Sequence, residues 1–158
     1  MLRVTIVCVG KLKEAYWRQA AAEYTKRLGA FCDVRIVELP EERLPDGPGA
    51  AQIRAALAAE ARRMEPYLQA RRVYPLCVEG RQLSSEALAE RIQSAVAEGA
   101  PMTFVLGSSH GLDERVKQAA SEKISFSAMT FPHQLARVML LEQLYRAFSI
   151  ATGGKYHK

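Results

Sequence analysis

Short runs of β-branched and aliphatic residues alternate with longer helical segments along the whole chain, and this alternation restricts the fold more than any other feature. Leu2–Val9 is almost entirely apolar or β-branched, the pattern of a strand covered on both faces. The turn at residues 10–13 leads to a helix over residues 14–28, with Tyr16, Ala20, Tyr24 and Leu28 at four-residue spacing and Gly29 as its stop. Further strands are expected at residues 34–39, 73–78, Met102–Leu106 and 123–126. Between them, Ala50–Met64 reads as an alanine-rich helix ending ahead of Pro66. A third helix is capped by Ser84 or Ser85 and closed by Gly99, and Asp113 caps a short fourth to about Ala120. The last helix starts with Pro132 in its first turn and runs to about Thr152, where Gly153 and Gly154 end it. Residues 40–49, with Pro40, Pro45 and Pro48, are expected to form a mobile loop. The expectation is an α/β fold: one domain over residues 1–158, with a mostly parallel sheet and helices on both faces.

Composition narrows the chemistry. Cys8, Cys32 and Cys77 are odd in number and widely spaced, and His110, His133 and His157 form no metal-ligand spacing, so neither a disulfide framework nor a metal site is expected. No apolar run approaches the roughly 18–20 residues of a membrane span. The N-terminal apolar stretch is too short for a signal peptide and reads as a strand of a cytoplasmic protein. The net charge is +5, spread over both halves with no polybasic run, which suits a nucleic-acid partner without requiring one. Arginine outnumbers lysine 15 to 7, a bias that favours phosphate contacts.

In parallel sheets ligands bind beyond the carboxyl ends of the strands. That rule directs attention to residues 10–13, 77–82, 107–111 and 127–131. The loop Gly107-Ser108-Ser109-His110-Gly111 lacks the spacing of a dinucleotide or nucleotide phosphate loop; it is either a tight strand–helix turn or a backbone cradle for a polar ligand. The stretch from Phe126 to His133 leads into a helix N-terminus, where free N–H groups favour anions. His133 is an anion contact, a cap or a structural residue. Cys77 is most simply a small core residue, and Glu79 either holds a ribose or is solvated. Glu142 lies in an otherwise apolar helical stretch four residues before Arg146, so the two can pair; a carboxylate on such a helix needs a partner, on this chain or across a subunit interface. Arg137 and Arg146 are each a phosphate ligand or a solvated helix charge. Tyr156-His157, beyond two glycines, is a frayed tail or a flap that orders on substrate.

Taken together these motifs resemble the RlmH family of the SPOUT methyltransferases, over the whole chain. The resemblance rests on residues 9–13, Trp17, Glu23-Tyr24, Arg27-Leu28, Leu76, Gly107 to Leu112, Phe126 to His133, Arg137-Val138, Glu142 to Phe148 and the closing Tyr156-His157-Lys158. It implies a C-terminal trefoil knot, a homodimer with an active site drawn from both subunits, and methyl transfer from S-adenosylmethionine. The implied target is N3 of a pseudouridine in the intersubunit stem-loop of the large-subunit rRNA, within the assembled ribosome. Carried over residue by residue, the cofactor contacts are Leu76, Gly107, Phe126, Ser127, Ala128, Met129, Thr130 and Phe131. Two positions depart from the family: Ser108 stands where members often have a second glycine, and Cys77 where they often have an acid. A positive φ at Ser108 would be strained.

The catalytic set expected is His157, Arg146, Glu142 and Tyr156. The target N3–H is a weak acid, and a neutral imidazole with a pKa of roughly 6.5 is a suitable acceptor. His157 is the first candidate because a tail can close over a flipped base; His133 is the reserve. Arg146 would hold phosphate or the base, and Glu142 would orient it. Lys11, Lys13 and Arg18 would extend the RNA surface. The alternative is a non-catalytic ribosome-binding factor of the same fold, favoured only by Ser108. A receiver-like domain is excluded, because Gly10-Lys11-Leu12-Lys13 and Gly80-Arg81 stand where its acids belong.

Overall fold

The computed structural model describes residues 1–158, in the order β1 (Leu2–Val9), α1 (Ala15–Leu28), β2 (Cys32–Leu39), α2 (Ala50–Met64), a short 3-10 turn (Glu65–Tyr67), β3 (Arg72–Gln82), α3 (Ser85–Glu98), β4 (Met102–Leu106), α4 (Glu114–Gln118), β5 (Ile124–Ser125) and α5 (His133–Ala151). The five strands form one sheet in the order β2-β1-β4-β3-β5, and every pairing is parallel. Side chains of a strand alternate between faces, and here both faces are apolar. Val4, Ile6 and Cys8 of β1 join Met102, Phe104 and Leu106 of β4 under α1, α3 and α5. Val7, Val9 and Val105 point the other way, against Ala61 and Met64 of α2 and Val116 of α4. A sheet apolar on both sides must be covered on both sides, so the continuous apolar runs and the two helical layers share one cause.

Several boundaries differ from the sequence expectation. The buried stripe of α1 is Trp17, Ala21, Tyr24 and Leu28, whereas Tyr16 is exposed. A strict four-residue step drifts off a face that repeats every 3.6 residues. Strand β2 begins at Cys32, and β3 continues to Gln82 through polar residues. Pro132 occupies the cap position of α5 rather than its first turn: its backbone is extended, with ψ 140°, and its carbonyl accepts the first helical bond from Ala136 N–H at 2.9 Å. Residues 40–49 are not free at their start. Arg63 donates to Pro40 O at 3.0 Å and to the Glu42 carboxylate at 2.7 Å, so the segment is strapped to α2.

Helix α5 lies between α1 and α3 and buries Leu140, Leu141, Leu144, Ala147 and Phe148. Arg137 is buried on it, 3% exposed, and its guanidinium donates to Glu38 Oε2 at 2.6 Å and to Gly10 O at 3.0 Å. It is neither a phosphate ligand nor a solvated charge. It pins the first half of α5 to the ends of β1 and β2.

Candidate active site

Three strand ends meet in a cleft of about 810 Å³ at the carboxyl edge of β3, β4 and β5. Its walls come from residues 76–79, 106–112 and 125–134, which overlap three of the four segments singled out by the strand-end rule; residues 10–13 do not line it. The first wall exists because β3 breaks register: Leu76 and Arg81 both align with Ile124, so residues 77–80 bulge out. At the base of this bulge Gly80 lies directly against the β5 backbone. A Cβ there would sit 2.6 Å from the Ile124 carbonyl carbon, so only glycine permits the crossing.

The second wall is the loop after β4. Gly111 N–H donates to Ser108 O at 2.9 Å and Gly111 has φ +91°, folding the loop back on itself. A Cβ at Gly107 would lie 2.7 Å from the Gly111 carbonyl carbon, so this glycine too is required by backbone contact. Ser108 is not strained, since no residue other than glycine has positive φ. Its hydroxyl donates to Glu60 Oε1 at 3.0 Å. The backbone strain expected at this departure from the family is therefore absent.

The third wall runs into α5. Ser125 Oγ donates to Ser127 O at 2.9 Å, and Ser127 Oγ accepts Met129 N–H at 3.0 Å. This tight turn carries Ala128 to the outside. Leu76, Gly107, Phe126, Ser127, Met129, Thr130 and Phe131 line the cleft, but Ala128 does not. Met129 is exposed at its mouth, and the α5 N-terminus opens at the cleft with no side-chain cap. His110 and His133 also line it.

The only fully charged side chains in the lining are Glu79 and Lys117, which pair with each other. That pairing lowers the Glu79 pKa and raises that of Lys117. Glu79 is therefore clamped rather than simply solvated. Cys77 lines the cleft instead of the core, its thiol pKa raised by burial and then by Glu79. Lys117 was missed in the sequence because nothing local marks it; only the fold sets α4 beside the β3 bulge.

The second group of predicted residues sits elsewhere on α5. Glu142 Oε1 accepts Arg146 Nε at 3.0 Å and Nη2 at 2.6 Å, and also the Tyr156 hydroxyl at 3.2 Å. Gln143 Nε2 donates to Glu142 Oε2 at 2.8 Å, so the carboxylate finds its partners within this chain. The Arg146 guanidinium lies 4.8 Å from the centre of the Tyr156 ring. His157 is held from both sides: Nδ1 is 3.1 Å from Arg146 Nη1, and Nε2 is 2.8 Å from Glu86 Oε1. Arg146 can only donate, so Nδ1 accepts and the proton sits on Nε2 facing Glu86. The tail is thus docked, not frayed. Burial pushes the Tyr156 phenol up to about 12, helped by its hydrogen bond to Tyr24 and by the charge of Glu142.

The structure therefore gathers the predicted residues into two groups and does not bring the groups together. Arg146 lies thirteen positions after His133, about 20 Å along a helix. Arg18 is spent locally, donating to Leu12 O and Lys13 O, so it shapes the turn after β1. No cluster of three or more His, Cys, Asp or Glu side chains could hold a metal ion, and no helix is long and apolar enough to cross a membrane.

The family model described as a predicted SPOUT methyltransferase matches residues 2–157. The chain belongs to the SPOUT methyltransferase family. Methyl transfer from S-adenosylmethionine is the activity typical of that family. Among solved structures, it is similar to a probable methyltransferase from Bordetella pertussis Tohama I at 16% identity and TM-score 0.60, over 93% of this chain and 95% of that one. It is also similar to a probable methylase family protein from Haemophilus influenzae Rd KW20, at 14% identity and TM-score 0.55, over 99% of this chain and 70% of that one. TrmJ from Z. mobilis ZM4 matches at 15% identity and TM-score 0.53, over 93% and 70%. At these identities the likeness is one of fold, and it agrees with the parallel sheet and its two helical layers.

Proposed function

We propose that this SPOUT methyltransferase acts as a single-domain, cytoplasmic homodimer on the large-subunit rRNA of the assembled ribosome, methylating N3 of a pseudouridine in the intersubunit stem-loop. The observation that carries the reading is the split on α5: a charge-poor cleft at its start, and a cluster of Arg146, Glu142, Tyr156 and His157 near its end. One copy leaves them apart. A second copy packed on α5 would set the cluster of one subunit at the cleft of the other. The proposal includes a trefoil knot in the chain, supported by the tight crossing of Gly80 over Ile124 and by the meeting of all three walls at one edge.

The cleft fits S-adenosylmethionine. Its size is that of a small-molecule site. Leu76, Leu106, Leu112, Phe126 and Phe131 offer apolar surface to an adenine, and the uncapped α5 N-terminus offers N–H groups to a carboxylate. When bound, the cofactor supplies an electrophilic methyl on a sulfonium. The protein aligns that methyl with N3 and excludes water. Methylation at N3 would require the N3 proton to leave, and the protein would have to supply its acceptor. Arg146 holds phosphate or the base, and Glu142 with Tyr156 keeps its guanidinium in place. In the docked tail Nδ1 of His157 is covered by Arg146. His157 accepts the proton only once substrate draws Arg146 away; otherwise His133, beside the cleft, is the acceptor.

Labelled S-adenosylmethionine tests this with assembled ribosomes lacking the mark and, separately, with free rRNA. Label in the large-subunit rRNA only with ribosomes is expected. Label on free rRNA alone would keep the methyltransferase and reassign its substrate. No label in either, with no cofactor binding, refutes the reading.

A further inference from the structure

Two charged side chains are buried. Arg137 has its counter-ion in Glu38, but Glu60, 3% exposed on α2, pairs with no cation. Its Oε1 accepts the Ser108 hydroxyl at 3.0 Å and its Oε2 accepts Glu42 N–H at 3.0 Å. Both partners are neutral. Arg63, one turn further along α2, is spent on Glu42 and Pro40. A buried carboxylate without a counter-ion is costly, and the two donated hydrogen bonds offset part of that cost. Simple bracing of a loop would need no charge, because a glutamine could bond the same two groups.

Ser108 belongs to the cleft wall, so this charge lies directly behind the glycine loop. Within the cleft Glu79 and Lys117 pair, leaving their net charge near zero. The uncompensated charge behind the wall adds a negative contribution to the potential beside residues 107–111. In a site of low effective dielectric such a charge acts over several ångströms.

We propose that Glu60 is a specificity-determining residue: its buried carboxylate makes the cleft prefer a ligand bearing a cationic centre over the same ligand without it. The inference rests on the reading of the cleft as the S-adenosylmethionine site. In that reading the preference favours the sulfonium donor over its neutral thioether product, and methyl transfer itself removes the charge that held the donor. The wall also gains a physical reason for Ser108, since a glycine at that position could not bond Glu60.

Calorimetric titration tests it without any methyl acceptor. The ligands are S-adenosylmethionine, S-adenosylhomocysteine and an analogue with an ammonium in place of the sulfonium. The wild-type protein should bind both cationic ligands about tenfold tighter than the neutral one. Glu60→Gln, which keeps the shape and both hydrogen bonds, should bring the three affinities together chiefly by weakening the cations. Ser108→Ala, which keeps the charge, should weaken all three alike and preserve the ratio. Equal wild-type affinities would overturn the proposal even if Glu60→Gln fails to fold. A Glu60→Gln protein that loses all three in proportion would overturn it too, reducing Glu60 to a brace. Failure of the wild type to bind any of the three would instead refute the cofactor reading.

Discussion

The cleft and the Arg146 cluster sit at opposite ends of one helix and are built by opposite means. The cleft is shaped by backbone meeting backbone: Gly80 against Ile124, and Gly107 against Gly111. Its lining mixes apolar and uncharged polar groups, and its one internal charge pair cancels. The cluster is made of side chains, with one carboxylate bonded to a guanidinium, an amide and a phenol, and an imidazole bridging Arg146 to Glu86. A site made by close backbone approach tolerates no added atom at its contacts. A site made of hydrogen bonds between long side chains tolerates substitution structurally and loses only its chemistry.

The largest effects follow from the proposed division of labour between copies. Gly107→Ala should abolish cofactor binding, and Arg146→Ala should lower methylation about 100-fold or more with cofactor affinity unchanged. If each active site takes its cleft from one subunit and its cluster from the other, mixed dimers of the two dead variants regain one complete site. Activity on mixing should then recover to about a quarter of wild type. No recovery after verified subunit exchange would put both regions of one site in the same chain.

Next is stability at the crossing. Gly80→Ala forces a Cβ into the β5 backbone, and overpacking of that kind costs about 1–3 kcal/mol. Its urea midpoint should fall accordingly. A change below about 0.5 kcal/mol would mean that the bulge relaxes freely and that backbone approach does not shape the cleft.

Two arginines of the same helix sharpen the contrast further. Arg137 is buried between Glu38 and Gly10, whereas Arg146 is partly exposed and stacked on Tyr156. Arg137→Met should destabilise by about 2–3 kcal/mol, somewhat below the cost of breaking a fully buried pair, because Glu38 keeps contact with water. Arg146→Met should cost about 1 kcal/mol at most. Denaturant melts of the two variants compare them directly, and equal losses would erase the distinction between a pin and a working residue.

How far these features could be seen in the sequence depends on how local their causes are. The strands of the central sheet were legible because burial on both faces leaves unbroken apolar runs, as in Leu2–Val9 and Met102–Leu106. The extension of β3 through Glu79, Gly80 and Arg81 was not, because those residues are held by pairing with a two-residue strand across a bulge. The Glu142–Arg146 pair was legible from helical spacing, and Glu86 as partner of His157 was not, because α3 and the tail meet only in three dimensions. Glu60 left a trace that went unread: Ala56, Glu60 and Met64 share the buried side of α2, and an acid on an apolar face needs a partner. That its partner is Ser108 was beyond sequence reasoning, since the two are 48 positions apart.

The smallest effect separates the docked tail from a loose one. The Tyr156 phenol is raised to about 12 by burial, by Tyr24 and by Glu142, whereas an unfolded tyrosine titrates near 10. The folded state therefore holds this proton more tightly than the unfolded state does. The stabilisation is fully present below pH about 10 and is lost as pH rises through about 12. Wild type and Tyr156→Phe should differ most in their slopes of stability against pH across that window, with the wild type falling more steeply. Absorbance titration at the phenolate band should lose its latest-titrating component in Tyr156→Phe. If the missing component is instead one that titrates near 10, the phenol is solvated, the tail is not docked on Glu142, and the cluster does not exist before substrate binds.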